Sequence, residues 1–283
     1  YSYLMQHDCD IINMSYGEAT TLPNKGKISQ YANELVSKYN MIYIASSGNA
    51  GAALSSGGAC GSTSTHVMGI GAYVSSQMSE KLYNTHHIAP DQLYTWSSRG
   101  PTIDGDLGVS CMGPGGAITT IPKWNLSGKR LMNGTSMSSP NVAGTIALLL
   151  SALKENKIQY HPFNIRHAIE HNALYIPSIE PVSQGNGMIQ VDKTFNYLLN
   201  QKKLTPFYYQ YQVYDIQNVE KRGIYIRNIH QIHDVQEYSI KFKAHYYGDE
   251  VYKNTHQQLN IINDIKCKLQ LNISTKIDYI LSP

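Results

Sequence analysis

The sequence predicts an α/β fold, a parallel sheet flanked by helices, followed by a β-rich segment. Three observations carry this. Short apolar runs alternate with helical patterns through the first two hundred residues, a long apolar helix follows a Gly-Thr-Ser turn, and helical periodicity stops after about residue 204. Apolar runs without polar alternation mark strands buried on both faces, as parallel sheets require.

Ile11-Ile12-Asn13-Met14 reads as a first buried strand, which turns at Gly17. Ile28, Ala32, Leu35, Val36 and Tyr39 recur at helical spacing, so residues 28–40 form an amphipathic helix. Met41-Ile42-Tyr43-Ile44-Ala45 gives a second strand and residues 67–74 a third. Strand, helix, strand in this rhythm argues for parallel pairing, because parallel neighbours need a crossover. Val142, Ile146, Leu149, Leu150 and Leu153 mark one face of a long helix running from near Ser136 to Lys157. Residues 162–172 form another, with Pro162 in its first turn, where a missing N–H costs nothing. Gly185-Asn186-Gly187 turns the chain into the apolar Met188-Ile189-Gln190-Val191. Beyond residue 204, Phe207-Tyr208-Tyr209, Gly223-Ile224-Tyr225-Ile226, Tyr238 to Phe242 and Leu269 to Ile273 are rich in Tyr and Ile and read as strands. Two domains are therefore expected: residues 1–203, and a β-sandwich-like domain that begins at 204 and is cut short at Pro283.

A chain of 283 residues, 42% hydrophobic and 15% charged, can bury a sizeable core. Its net charge of +3 is small and its basic residues are scattered, so no nucleic acid or acidic partner is expected. No run reaches the roughly 18 apolar residues that span a bilayer, so no membrane contact is expected either. Cys9, Cys60, Cys111 and Cys267 are far apart, whereas a zinc site wants close, paired ligands. They read as buried free thiols, with no metal and no cofactor, which favours a reducing compartment. Of the N-x-S/T sequons at Asn13, Asn125, Asn133 and Asn272, the first and third read as structural, being inside a strand and beside the candidate nucleophile. The chain starts at Tyr1 without a methionine and reads as a fragment.

The strongest chemical signal is Asn133-Gly134-Thr135-Ser136-Met137-Ser138-Ser139-Pro140 ahead of the apolar helix. Free N–H groups and the positive end of the helix favour the oxyanion formed when a serine there attacks a carbonyl. By local chemistry alone the string is also an ordinary Ser/Thr-rich N-cap. Ala45-Ser46-Ser47-Gly48-Asn49 follows a strand, at the carboxyl end where open α/β sheets place their ligands. Alone, its Gly-Asn is a turn signal. Ile12-Asn13-Met14-Ser15-Tyr16-Gly17 ends the first strand, and alone it also reads as a plain core strand.

Together these blocks resemble the subtilisin family, whose nucleophile string is Gly-Thr-Ser-Met-Ser/Ala-Ser-Pro. The resemblance implies a subtilisin-like sheet, with Ser136 as nucleophile and Asn49, 87 positions earlier, as oxyanion-hole donor. It implies that Ser15, Tyr16 and Gly17 pair with the substrate and line its pocket, and that Ser47 and Gly48 also bind substrate. Trp96-Ser97-Ser98-Arg99-Gly100-Pro101 and Gly113-Pro114-Gly115-Gly116 resemble scaffold loops of the family. The family's triad Asp and His precede these blocks, the His in a His-Gly-Thr context that none of the eleven histidines shares. His7 sits in Gln6-His7-Asp8 and His86 and His87 in a polar loop, so the Asp and His are expected upstream of Tyr1.

Glu18 follows the substrate strand directly, where a carboxylate reaches the free amino group of a short peptide end; it is also a residue type common on solvated loops. Ser-Tyr-Gly-Glu-Ala, Tyr-Thr-Trp-Ser-Ser-Arg-Gly-Pro and Gly187 to Lys193 resemble the tripeptidyl-peptidase branch of the family, over about residues 4–245. That implies release of tripeptides from free N-termini of oligopeptides, a cytoplasmic location and a large homo-oligomer, with Glu18 binding the substrate's N-terminus. Three readings stay open: this exopeptidase, a broader subtilisin endopeptidase, and a non-catalytic interaction protein without half its triad.

Overall fold

A computed structural model describes residues 2–20, 22–58, 60–85, 89–120, 124, 129–201, 207–215, 217–229 and 236–246. In chain order the elements are α1 (Ser2–Met5), β1 (Ile11–Met14), α2 (Lys27–Tyr39), β2 (Ile42–Ser46), β3 (Met68–Val74), α3 (Ser76–Tyr83), β4 (Gln92–Leu93), β5 (Cys111–Pro114), β6 (Gly116–Thr120), β7 (Lys129–Asn133), α4 (Thr135–Glu155), α5 (Pro162–Asn172), α6 (Pro181–Gln184), α7 (Val191–Asn200), β8 (Phe207–Tyr214), β9 (Glu220–Lys221) and β10 (Ser239–Tyr246).

Strands β1, β2, β3 and β5 lie side by side and parallel, and β4 adds an antiparallel end pair to β3. The register places Ile11 beside Ile42, Ile44 beside Met68 and Ile70 beside Cys111. Every residue of β2 and β3 is buried, because both faces of the sheet are covered. Alternation along β2 divides the core. Ile42 and Ile44 pack with Val142, Ile146, Leu149 and Leu153 of α4, while Tyr43 and Ala45 pack with Ala32, Leu35 and Val36 of α2. The sheet is thus clamped between α2 and α4, which orients the α4 N-terminus toward the strands' carboxyl ends. Among the described residues α4 is the one helix long and apolar enough to cross a bilayer, but here its apolar face packs on the sheet.

Elements that burial dictates lie where the sequence places them, within two residues. α2 stops at Asn40, whose left-handed φ of 54° ends the helix. Other expectations are corrected. Asn13 is exposed, and only Ile12 of β1 is fully buried. The apolar run after Gly187, left unassigned by the sequence, makes isolated bridges from Met188 to Met112 and Leu174 and opens a helix at Val191. Gly223 to Ile226 form no strand. The N–H groups of Arg222 and Gly223 both donate to the carbonyl of Asp104, at 2.9 and 3.0 Å, and so are turned away from a ladder. The helix α3 and the β6–β7 hairpin were not anticipated, although Ser75 caps α3 by accepting from the Met78 N–H at 3.0 Å. Cys60 and Cys111 are buried free thiols, raised by desolvation to about 11 and about 12. Cys9 is half-buried, and Cys267, His86, His87 and Leu269 to Ile273 lie outside the described residues.

The described residues divide into two units, those up to 201 with 211–242, and 207–210 with 243–246. In the first, the Arg222 guanidinium donates to Asp104 at 2.7 and 3.0 Å, to Asp106 at 2.6 Å and to Thr102 at 3.3 Å. This half-buried network holds the segment around residue 222, beyond the expected boundary at 204, within the first unit.

Candidate active site

The carboxyl ends of β1 and β2 meet the N-terminus of α4, and the candidate residues gather there. Gly134 precedes the helix, and its carbonyl accepts from the N–H groups of Met137 at 2.9 Å and Ser138 at 3.3 Å. The Thr135 N–H is taken by Asn49 Oδ1 at 3.0 Å. A first-turn N–H has no partner inside its own helix, so that of Ser136 stays available for a ligand oxygen. Ser136 is half-buried, and its hydroxyl donates to the Ser15 carbonyl at 3.2 Å.

Asn49 Oδ1 also accepts from Thr135 Oγ1, at 2.8 Å. Two donors on one amide atom identify it as the oxygen, so Nδ2 is the opposite, donating end. The side chain is exposed and free to donate. Its loop is held from behind. The Gly48 N–H donates to Thr135 Oγ1 at 3.3 Å, and the Gly48 carbonyl accepts from the Ser98 N–H at 2.9 Å. The Ala50 N–H donates to Ser98 Oγ at 3.0 Å. Only glycine suits position 48: its φ is +113°, and a Cβ would lie 2.8 Å from Ser98 Oγ. Ser47 is fully buried, and its carbonyl accepts from the Gly58 N–H at 3.2 Å and Ser62 Oγ at 3.1 Å. Sequence reasoning took the Trp96–Pro101 block as scaffold and missed this brace; Ser98 is its central residue.

On the other side, Ser15 Oγ touches the Ser136 carbonyl and Ser139 Oγ, each at 3.0 Å. Tyr16, Gly17 and Glu18 continue outward, all exposed. The Tyr16 hydroxyl donates to Glu18 Oε1 at 3.1 Å, and this bond and the nearby charge raise the Tyr16 pKa above its ordinary value. None of the hydrogen bonds of Ser136 among the described residues goes to a histidine. His7 stacks on Tyr3, His66 bonds the Asn33 carbonyl, and His161 caps α5, where burial lowers it to about 4. Among the described residues no cluster of three His, Cys, Asp or Glu is placed to hold a metal.

A hydroxyl at a helix start, a side-chain amide and a free backbone N–H beside it, and an extended strand end are the groups that acyl transfer to a serine requires. The subtilase family model matches residues 1–203, and the chain belongs to that family of serine peptidases. Within it, the chain is similar to tripeptidyl-peptidase 2. It is 42% identical to that of Oryza sativa subsp. japonica over 250 residues, 87% of this chain and 18% of the relative. It is 40% identical to that of Drosophila melanogaster over 242 residues, 85% of this chain and 17% of the relative. A crystal structure of tripeptidyl peptidase 2 superposes with a TM-score of 0.67 at 34% identity, over 89% of this chain and 19% of the other. The chain thus spans less than a fifth of the length of these relatives.

Proposed function

We propose that this chain supplies the nucleophile, the oxyanion donors and the substrate-binding strand of an exopeptidase that releases tripeptides from free N-termini of oligopeptides. Glu18 carries the reading: an exposed carboxylate immediately beyond the substrate strand, free to bind an α-ammonium group. The names of the similar relatives support it. Ser136 Oγ attacks the scissile carbonyl carbon, and its proton passes to a base. The tetrahedral oxyanion is held by Asn49 Nδ2 and the Ser136 N–H. Collapse expels the protonated amine, and water then hydrolyses the acyl-enzyme. Among the described residues no histidine bonds Ser136, so the base is assigned to none of them. We place the enzyme in the cytoplasm, as a large homo-oligomer, on the resemblance of its sequence motifs alone.

The test uses the natural polypeptide that carries this sequence. Oligopeptides with free and with acetylated N-termini are digested and the products weighed. Ladders losing three residues per step, from free N-termini only, are expected. Internal cuts indifferent to acetylation would establish an endopeptidase instead, and no cleavage by an intact preparation would favour an interaction protein.

A further inference from the structure

Pro140 and Ser15 belong to separate motifs, 125 positions apart, and the Ser136 carbonyl links their roles. In a helix the carbonyl of residue 136 accepts from the N–H of residue 140. Residue 140 is proline, inside α4, and has no N–H. The carbonyl of the candidate nucleophile is therefore left without its helical partner. Ser15 supplies one: its hydroxyl donates to the Ser136 carbonyl at 3.0 Å.

The remaining bonds fix the donor roles. A serine hydroxyl has one proton and two lone pairs. The proton goes to the Ser136 carbonyl. The lone pairs accept from Asn13 Nδ2 at 3.1 Å and from Ser139 Oγ at 3.0 Å. Ser139 is fully buried, so its hydroxyl is anchored in α4. All three capacities of the Ser15 hydroxyl are filled, and with the Ser136 hydroxyl on the Ser15 carbonyl three bonds tie the strand end to the first turns of α4.

We propose that Ser15 is a positioning residue: its hydroxyl replaces the bond that Pro140 removes and holds the Ser136 turn against the substrate strand. The proposal rests on the peptidase reading above. A shift of the turn misplaces both the attacking hydroxyl and the Ser136 N–H, which act in the transition state. The loss then falls on kcat rather than KM.

Four variants of the natural polypeptide test this. Ser15→Ala should lower kcat about tenfold, with KM within about twofold. Ser15→Thr keeps a hydroxyl and should recover most of the loss. Pro140→Ala restores an N–H to the Ser136 carbonyl, so Ser15→Ala with Pro140→Ala should lose less than Ser15→Ala alone. Amide hydrogen exchange over residues 135–139 should quicken in Ser15→Ala and slow again in the double variant. An unchanged kcat and unchanged exchange in Ser15→Ala overturns the proposal, as does a double variant that loses the product of the two single effects. Wild type without peptide turnover would overturn the peptidase reading instead, and exchange alone would then decide the link.

Discussion

The nucleophile end of the site and the Glu18 side chain are held in opposite ways. Ser136, Asn49 and Ser15 come from three segments, joined by bonds of 2.8–3.2 Å that span 86 to 121 residues of chain. The Glu18 carboxylate takes its bond from Tyr16, two residues away, and Tyr16 is 58% exposed. Groups that meet charge in the transition state must be fixed beforehand, since reorganising them costs rate. A carboxylate that binds a substrate's amino group can be ordered by that ligand, because the ammonium brings its own donors.

Ser136→Ala should show the largest effect. Its loss in kcat should be on the order of 10⁶, as measured for the nucleophile of a subtilisin, read by initial rates on a free oligopeptide. A loss below about a hundredfold would move the nucleophile elsewhere. Asn49→Ala removes one oxyanion donor and should lower kcat roughly 10²–10³-fold with KM nearly unchanged. A raised KM with normal kcat would make Asn49 a ground-state contact. Glu18→Gln should lower kcat/KM about ten- to a hundredfold on free N-termini, as one charge-assisted bond of about 1.5–3 kcal/mol is lost. Acetylated peptides should be indifferent to it, and equal losses on both would make Glu18 a loop support. Tyr16→Phe is the finest probe: about two- to threefold in KM for free N-termini if its hydroxyl steers Glu18, and no change if the substrate alone orders the carboxylate.

The same contrast explains what the sequence reveals. β2, β3 and α4 are legible because burial imposes a pattern: Ile42 and Ile44 must face one layer, Tyr43 and Ala45 the other. Ser136, Asn49 and Ser15 are legible as strings, and the structure brings them together. Their bracing is not legible, because hydroxyls such as Ser98 and Ser139 look like any polar residue until a distant partner is known. Gly223 to Ile226 mislead for a related reason: β-prone side chains say nothing of an N–H already given to Asp104. Helix α7 is legible in principle, since Val191, Phe195 and Leu198 recur at helical spacing and pack on the core, but the turn before it draws the eye to Met188 and Ile189 instead.

The central claim is that Ser136 is an activated nucleophile in a subtilase site. A fluorophosphonate probe reacts with such a serine and with few others, because it mimics the tetrahedral intermediate and needs the oxyanion donors. The natural polypeptide should be labelled to near completion, and digestion with mass spectrometry should place the adduct on Ser136, with labelling slowed strongly in Asn49→Ala. An active preparation that stays unlabelled at Ser136, or carries the adduct on another serine, would contradict the account.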